Sequence, residues 1–155
     1  MTVSKETRLR DSDAAAGTTG VILTVPSHPR YLYTVRSMLY PLAIEAGFTK
    51  KTARHIVLAV DEACSNIIKH AYGGDHSQSI VVTVEDRPDR FIVTLRDYGK
   101  KVDRAKIAPR DLADVRPGGL GTHFMAAVFE TVRYDTGVEQ GTLLVLEKLK
   151  QQGKS

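Results

Sequence analysis

Between Thr49 and the run Gly73-Gly74-Asp75, apolar residues stand at Ile56, Ala59, Val60, Ala63, Ile67 and Ala71. This is the three-and-four spacing of a single helical face. It predicts one helix from Lys50 to about Tyr72, capped by Thr49 and stopped by the glycines. A helix of about six turns has a long stripe to bury, and the residues after it suggest against what. Two strand-like runs, Ser79 to Glu85 and Arg90 to Arg96, flank the hairpin signal Arg87-Pro88-Asp89.

The rest of the chain fits around that unit. Val21 to Val25 reads as a strand ended by Pro26. Leu32, Val35, Leu39, Leu42 and Ala43 predict a helix from Pro29 to about Ala46, which Pro41 is expected to kink or split and Gly47 to stop. Residues 98–118 are charged and aperiodic and read as a long loop, with one helical turn near Pro109 to Val115. A short helix from Leu120 to Phe129 and two strands, Thr131 to Tyr134 and Thr142 to Leu149, close the domain. Helices are grouped rather than alternating singly with strands. The expected fold is therefore α/β of the α+β kind: a two-layer sandwich, with a mostly antiparallel mixed sheet and helices packed on one face. Residues 1–19 are expected to be a disordered tail, 20–149 the folded domain and 150–155 a polar C-terminal tail.

Composition removes several function classes. With one cysteine, Cys64, no intramolecular disulfide or cysteine metal site can form, and a reducing cytoplasm fits. Cys64 reads as a small core residue rather than a reactive thiol. The first twenty residues are polar and charged, unlike a secretory signal, and no apolar run is long enough for a membrane span. Lys+Arg 22 against Asp+Glu 18 leaves +4, too small and dispersed an excess to argue for direct nucleic-acid binding. His28, His55, His76 and His123 form no ligand pattern with carboxylates, so no structural metal is expected.

Three short patterns can carry chemistry. On the long helix, Glu62 and Asn66 are four apart and share a face. The carboxylate can take a proton and the carboxamide oxygen can ligate Mg²⁺, although such a pair is usually just a solvated face. Asp97-Tyr98-Gly99 follows an apolar strand. An Asp there can accept a hydrogen bond from an exocyclic amine such as adenine's, and the glycine lets the backbone come close to a flat ligand; a plain Asp turn is at least as common. Pro117-Gly118-Gly119-Leu120-Gly121-Thr122 precedes a helix, where backbone N–H groups can meet phosphate or simply form a hinge. Its glycine spacing is neither the dinucleotide fingerprint nor the P-loop. Gly141-Thr142 opens the last strand and means little alone.

The order of these pieces is more specific than any one of them. Val60-Asp61-Glu62-Ala63-Cys64-Ser65-Asn66-Ile67-Ile68-Lys69-His70-Ala71-Tyr72, then Leu95-Arg96-Asp97-Tyr98-Gly99, then Gly118-Gly119-Leu120-Gly121, resemble the GHKL ATPase/kinase superfamily, and within it the anti-sigma-factor serine kinases. The resemblance spans about residues 20–149.

It implies a GHKL-type ATP-binding kinase domain using ATP and Mg²⁺. Glu62 would match the general base, and Asn66 would hold Mg²⁺. Asp97 would meet the adenine amine, with Gly99 beside it and Thr142 near the base. Gly118, Gly119, Leu120, Gly121 and Thr122 would lie along the phosphates, and residues 98–118 would form the ATP lid. The implied substrate is a serine on an anti-anti-sigma-factor protein, the competing partner is a sigma factor, and the implied assembly is a homodimer. The family often reads Asp-x-Gly-x-Gly, whereas Lys101 takes the second glycine position here. Lys101 and His70 are candidate phosphate contacts. Lys101 equally suits a nucleotide-sensing partner switch with weakened catalysis, the alternative to an active kinase.

Overall fold

A computed structural model describes residues 20–103 and 119–152. The predicted tail 1–19, most of the predicted lid and the last three residues lie outside the described residues. Five strands form one sheet: β1 (Gly20–Pro26), β2 (Ser79–Asp86), β3 (Arg90–Asp97), β4 (Thr131–Asp135) and β5 (Thr142–Leu149), in the order β1-β2-β3-β5-β4. The expected sheet was mostly antiparallel; each of these four strand pairs is antiparallel. Three helices, α1 (Leu32–Glu45), α2 (Lys50–Asn66) and α3 (Gly119–Val128), complete the domain. No helix among the described residues is long and apolar enough to cross a membrane.

Strand alternation places the core. Ile80, Val82 and Val84 of β2, Phe91, Val93 and Leu95 of β3, and Leu144 and Leu146 of β5 are buried on one face. Leu32, Val35, Leu39 and Ala43 of α1 and Ala53, Ile56, Ala59, Val60, Ala63 and Cys64 of α2 are buried in the same core. Small residues on the inner face of α2 let the helix lie close to its neighbours. Full burial pushes the Cys64 thiol up to about 12, so at neutral pH it is an uncharged core group.

Pro41 does not split α1. It sits on the exposed side of a continuous helix, away from the buried stripe Leu32, Val35, Leu39 and Ala43. Pro29 instead begins a separate 3₁₀ turn, Pro29–Tyr31. Gly47 ends the segment at φ +97°, a backbone that other residues adopt only with strain.

The predicted helix from Lys50 to Tyr72 is regular only to Asn66. Ile67–Ala71 form a wider π turn, closed by Tyr72 N–H on the Ile67 carbonyl at 3.0 Å. Gly74 N–H then reaches back to the Ile68 carbonyl at 2.8 Å, with Gly73 and Gly74 both at positive φ. Such widened turns gather at functional sites, and this one begins directly after Asn66.

Candidate nucleotide site

The π turn and the end of β3 are stitched together. Lys100 N–H donates to the Ala71 carbonyl at 2.7 Å, and Tyr98 N–H to the Tyr72 hydroxyl at 2.8 Å. That hydroxyl in turn donates to the Ser79 carbonyl at 2.6 Å. Thus the end of the helix carrying Glu62 and Asn66 is fixed to the strand end carrying Asp97. Gly99 owes its identity to this junction. A Cβ there would lie 2.3 Å from the Ala71 carbonyl oxygen and 2.6 Å from its carbon. The close approach expected toward a flat ligand is, in the structure, made to the protein's own backbone.

Asp97 continues the inward alternation of Phe91, Val93 and Leu95 and is 3% exposed. Its Oδ1 accepts the Gly99 N–H at 3.0 Å. Burial pushes its carboxyl above the usual range, against the pull of that N–H, of the Arg96 guanidinium and of the Thr142 N–H. Arg96 points to the other face. It lies 4.2 Å from the Tyr98 ring centre and donates to the carbonyls of Asp97 and Thr142.

Thr142 pairs with Asp97 across β3 and β5, and its hydroxyl accepts the Val102 N–H at 3.2 Å. Gly141 before it has φ +72°, and a Cβ there would fall 2.1 Å from the Asp97 carbonyl oxygen. Sequence reasoning paired Gly141 with Thr142 without seeing this packing role. It gave no role to the Tyr72 hydroxyl or to Arg96. A glycine immediately before a strand is the one signal that could have pointed to Gly141.

The helix side is open. Glu62 is exposed and Asn66 half-buried, and neither side chain has a hydrogen bond among the described residues. Their neighbour Asp61 is occupied, accepting from Arg36 of α1 at 2.6 Å. Lys69 and His70 are exposed on the π turn. The wider turn carries His70 off the line through Glu62 and Asn66, so it is not simply one α-turn beyond them. Lys101, a candidate phosphate contact, is engaged elsewhere: its Nζ donates to the Thr136 and Val138 carbonyls at 2.6 and 2.5 Å.

Gly118 lies outside the described residues. Gly119, Leu120, Gly121 and Thr122 form the first turn of α3 rather than a loop. β4 starts at the sheet end opposite Asp97, as the pairs Thr131–Glu147 and Ile92–Glu147 show. The chain leaves β3 at the Asp97 end, and α3 ends at Val128, just before Thr131 at the other end of the sheet. Met125, Val128 and Phe129 fix the later part of this segment in the core, and Phe124 packs edge-on to His55 of α2 at 5.9 Å.

These groups suit a magnesium nucleotide. Asp97 is a buried acceptor at a strand end, the kind of convergent polar group that can fix the orientation of an amine-bearing base. Asn66 offers a carboxamide oxygen with no partner among the described residues. Mg²⁺ typically takes one or two protein oxygens and completes its shell with phosphates and water. A groove of about 420 Å³ between α1 and α2, lined partly by Tyr33, Tyr40, Arg54 and Leu58, includes none of Glu62, Asn66, Asp97 or Thr142.

Comparison with known proteins bears on the family and the fold. The family model described as histidine kinase-like ATPase domain matches residues 25–148. Serine-protein kinase RsbW of Listeria monocytogenes is 30% identical over 128 residues, covering 76% of this chain and 82% of that protein. Serine-protein kinase RsbW of Bacillus subtilis is 29% identical over 119 residues, covering 72% and 74%. A crystal structure of the RsbU and RsbW domains of a Mycobacterium tuberculosis protein superposes with a TM-score of 0.61 at 22% identity. That match covers 86% of this chain but 33% of the other, and it speaks for the fold alone. The chain belongs to the histidine kinase-like ATPase domain family and, within it, to the anti-sigma-factor serine kinases typified by RsbW.

Proposed function

We propose that this protein is an ATP-dependent serine kinase that phosphorylates an anti-anti-sigma-factor protein and sequesters a sigma factor by exchanging partners. The observation that carries the reading is the junction between the end of α2 and the end of β3. Lys100 N–H on the Ala71 carbonyl and Tyr98 N–H on the Tyr72 hydroxyl bring a helix bearing a carboxylate and a carboxamide to a buried strand-end carboxylate. The kinase relatives support the same reading.

Each residue then has a role. Asp97 accepts the adenine amine, and Thr142 supplies a hydroxyl beside the base. Asn66 would hold Mg²⁺ through its side-chain oxygen, and the N-terminal turn of α3, with Gly118 before it, would face the phosphates. Bound ATP with Mg²⁺ supplies a phosphoryl group whose transfer depends mainly on positioning and charge stabilisation. Glu62, exposed one turn before Asn66, would take the proton of the partner's serine hydroxyl as that oxygen bonds to the γ-phosphorus and the bridging oxygen leaves with ADP. Its exposure is what action on a protein substrate arriving from solvent requires.

A nucleotide-sensing partner switch without catalysis is the second reading. It is favoured by Lys101, which stands where the family often has glycine and whose ammonium is committed to Thr136 and Val138. Calorimetric titration with ATP and ADP, with and without Mg²⁺, comes first, followed by phosphoryl transfer to an anti-anti-sigma-factor protein. Mg²⁺-dependent binding that Asn66→Ala makes insensitive to Mg²⁺, together with transfer, supports the kinase. Binding without transfer selects the second reading. Failure of the folded protein to bind any adenine nucleotide rejects the site.

A further inference from the structure

The segment leaving β3 does not run free. Gly99 N–H is held by Asp97 Oδ1, Lys101 Nζ by two carbonyls of the turn between β4 and β5, and Val102 N–H by Thr142 Oγ1. The chain from Gly99 to Val102 therefore crosses the start of β5 and is anchored on the far side. Beneath it are Asp97 and Thr142, each 3% exposed. Both groups assigned to the base have hydrogen bonds to this crossing chain. Glycine at position 101 would have no side chain with which to make the anchor.

We propose that Lys101 is a latch that holds the chain at Lys101 and Val102, beyond the Lys100 N–H fixed on Ala71, over the base-binding end of the site when no nucleotide is bound, so that nucleotide enters only after the latch releases. This rests on the nucleotide reading given above. The ammonium is a suitable anchor because a charged donor strengthens its bonds to carbonyls. Lys101 is exposed, so water competes for it and the latch can open without disturbing the core. The role is one of positioning: Lys101 acts through Val102 and Thr142 and touches no reacting atom.

The latch makes a prediction opposite to that of a phosphate-binding lysine. Lys101→Met should raise the association rate of N-methylanthraniloyl-ATP with Mg²⁺, followed by stopped flow, by about three- to tenfold, the net size expected for an exposed ammonium shared between two carbonyls and water. The dissociation rate should stay unchanged, so affinity rises by the same factor. Lys101→Arg, which keeps a charged donor, should stay near the parent protein. Amide exchange in the nucleotide-free protein should speed up at Val102 and not at Lys100, whose N–H is held by Ala71. Faster dissociation or weaker binding in Lys101→Met would make Lys101 a phosphate contact and overturn the latch. Unchanged rates and unchanged Val102 exchange, with nucleotide still bound, would reject the latch and leave the site standing. If neither protein binds nucleotide, the site reading fails and the proposal with it, even where Val102 exchange responds.

Discussion

The helix wall and the strand wall of the proposed site are built on opposite terms. On α2, Glu62 and Asn66 keep their polar atoms unengaged among the described residues, and Lys69 and His70 beyond them are exposed. On β3 and β5, Asp97 and Thr142 are buried and hydrogen-bonded, and glycines flank them where any side chain would strike backbone. A wall that recognises a flat base gains from being rigid and preorganised. A wall that must gather a metal, phosphates and a protein hydroxyl gains from groups with no competing partner. The costs differ as well. Exposed polar residues on a helix cost the fold little, whereas a carboxylate whose carboxyl is pushed up by burial is carried at the expense of stability.

Substitutions on the two walls should therefore fail in different ways. The largest effect is expected from Glu62→Ala: phosphoryl transfer should fall about 10²- to 10⁴-fold, with unfolding free energy within about 0.5 kcal/mol of the parent. Steady-state transfer assays and urea denaturation measure the two. Transfer that survives would remove Glu62 as the base.

Gly141→Ala should do the reverse, costing about 3 kcal/mol of stability. It combines a positive-φ backbone with a Cβ placed 2.1 Å from the Asp97 carbonyl oxygen. Gly74→Ala is the control. It shares the positive φ but has nothing within 4 Å of its Cβ, and should cost only about 1 kcal/mol. Equal losses in the two variants would show that the backbone contact with Asp97 is not what demands glycine.

The smallest and most informative change is Asp97→Asn. In the folded protein the Asp97 carboxyl titrates above its unfolded value, so the folded state binds the proton more tightly. Stability of the parent should then fall as pH rises from about 4 through the raised folded value, and stay level beyond it. Asparagine can still accept the Gly99 N–H but carries no charge. The variant should be more stable than the parent at pH 7, and its advantage should shrink to nothing below about pH 4. Its preference for ATP over GTP should weaken at the same time. Denaturation curves across pH, set beside nucleotide competition, test both. A variant less stable than the parent at pH 7 would mean that the charge is welcome where it sits.

Much of this architecture was legible in one dimension. Apolar spacing located α1, α2 and the β2–β3 hairpin, because helical and strand periods differ and each element must bury one side. The shared face of Glu62 and Asn66 followed from helical geometry, and Asp97 from its place at a strand end. The π turn after Asn66 was not legible, because its hydrogen bonds compete with ordinary helical ones under the pull of tertiary contacts. Gly119 read as lying just before the helix predicted from Leu120, because glycine is a poor helix former, yet it opens α3.

What the sequence by itself determined is the set of elements and the residue types available at their ends: a carboxylate and a carboxamide one turn apart, a strand-end aspartate, and glycines at the turns. What only the tertiary structure decided is what those residues touch. Gly99 is small because of Ala71, Gly141 because of Asp97, and Lys101 reaches carbonyls of the β4–β5 turn rather than open solvent. Each partner is distant along the chain. Periodicity reports only on neighbours within a turn or a pleat, whereas these contacts exist only once the sheet has set its register and the helix end has docked on it.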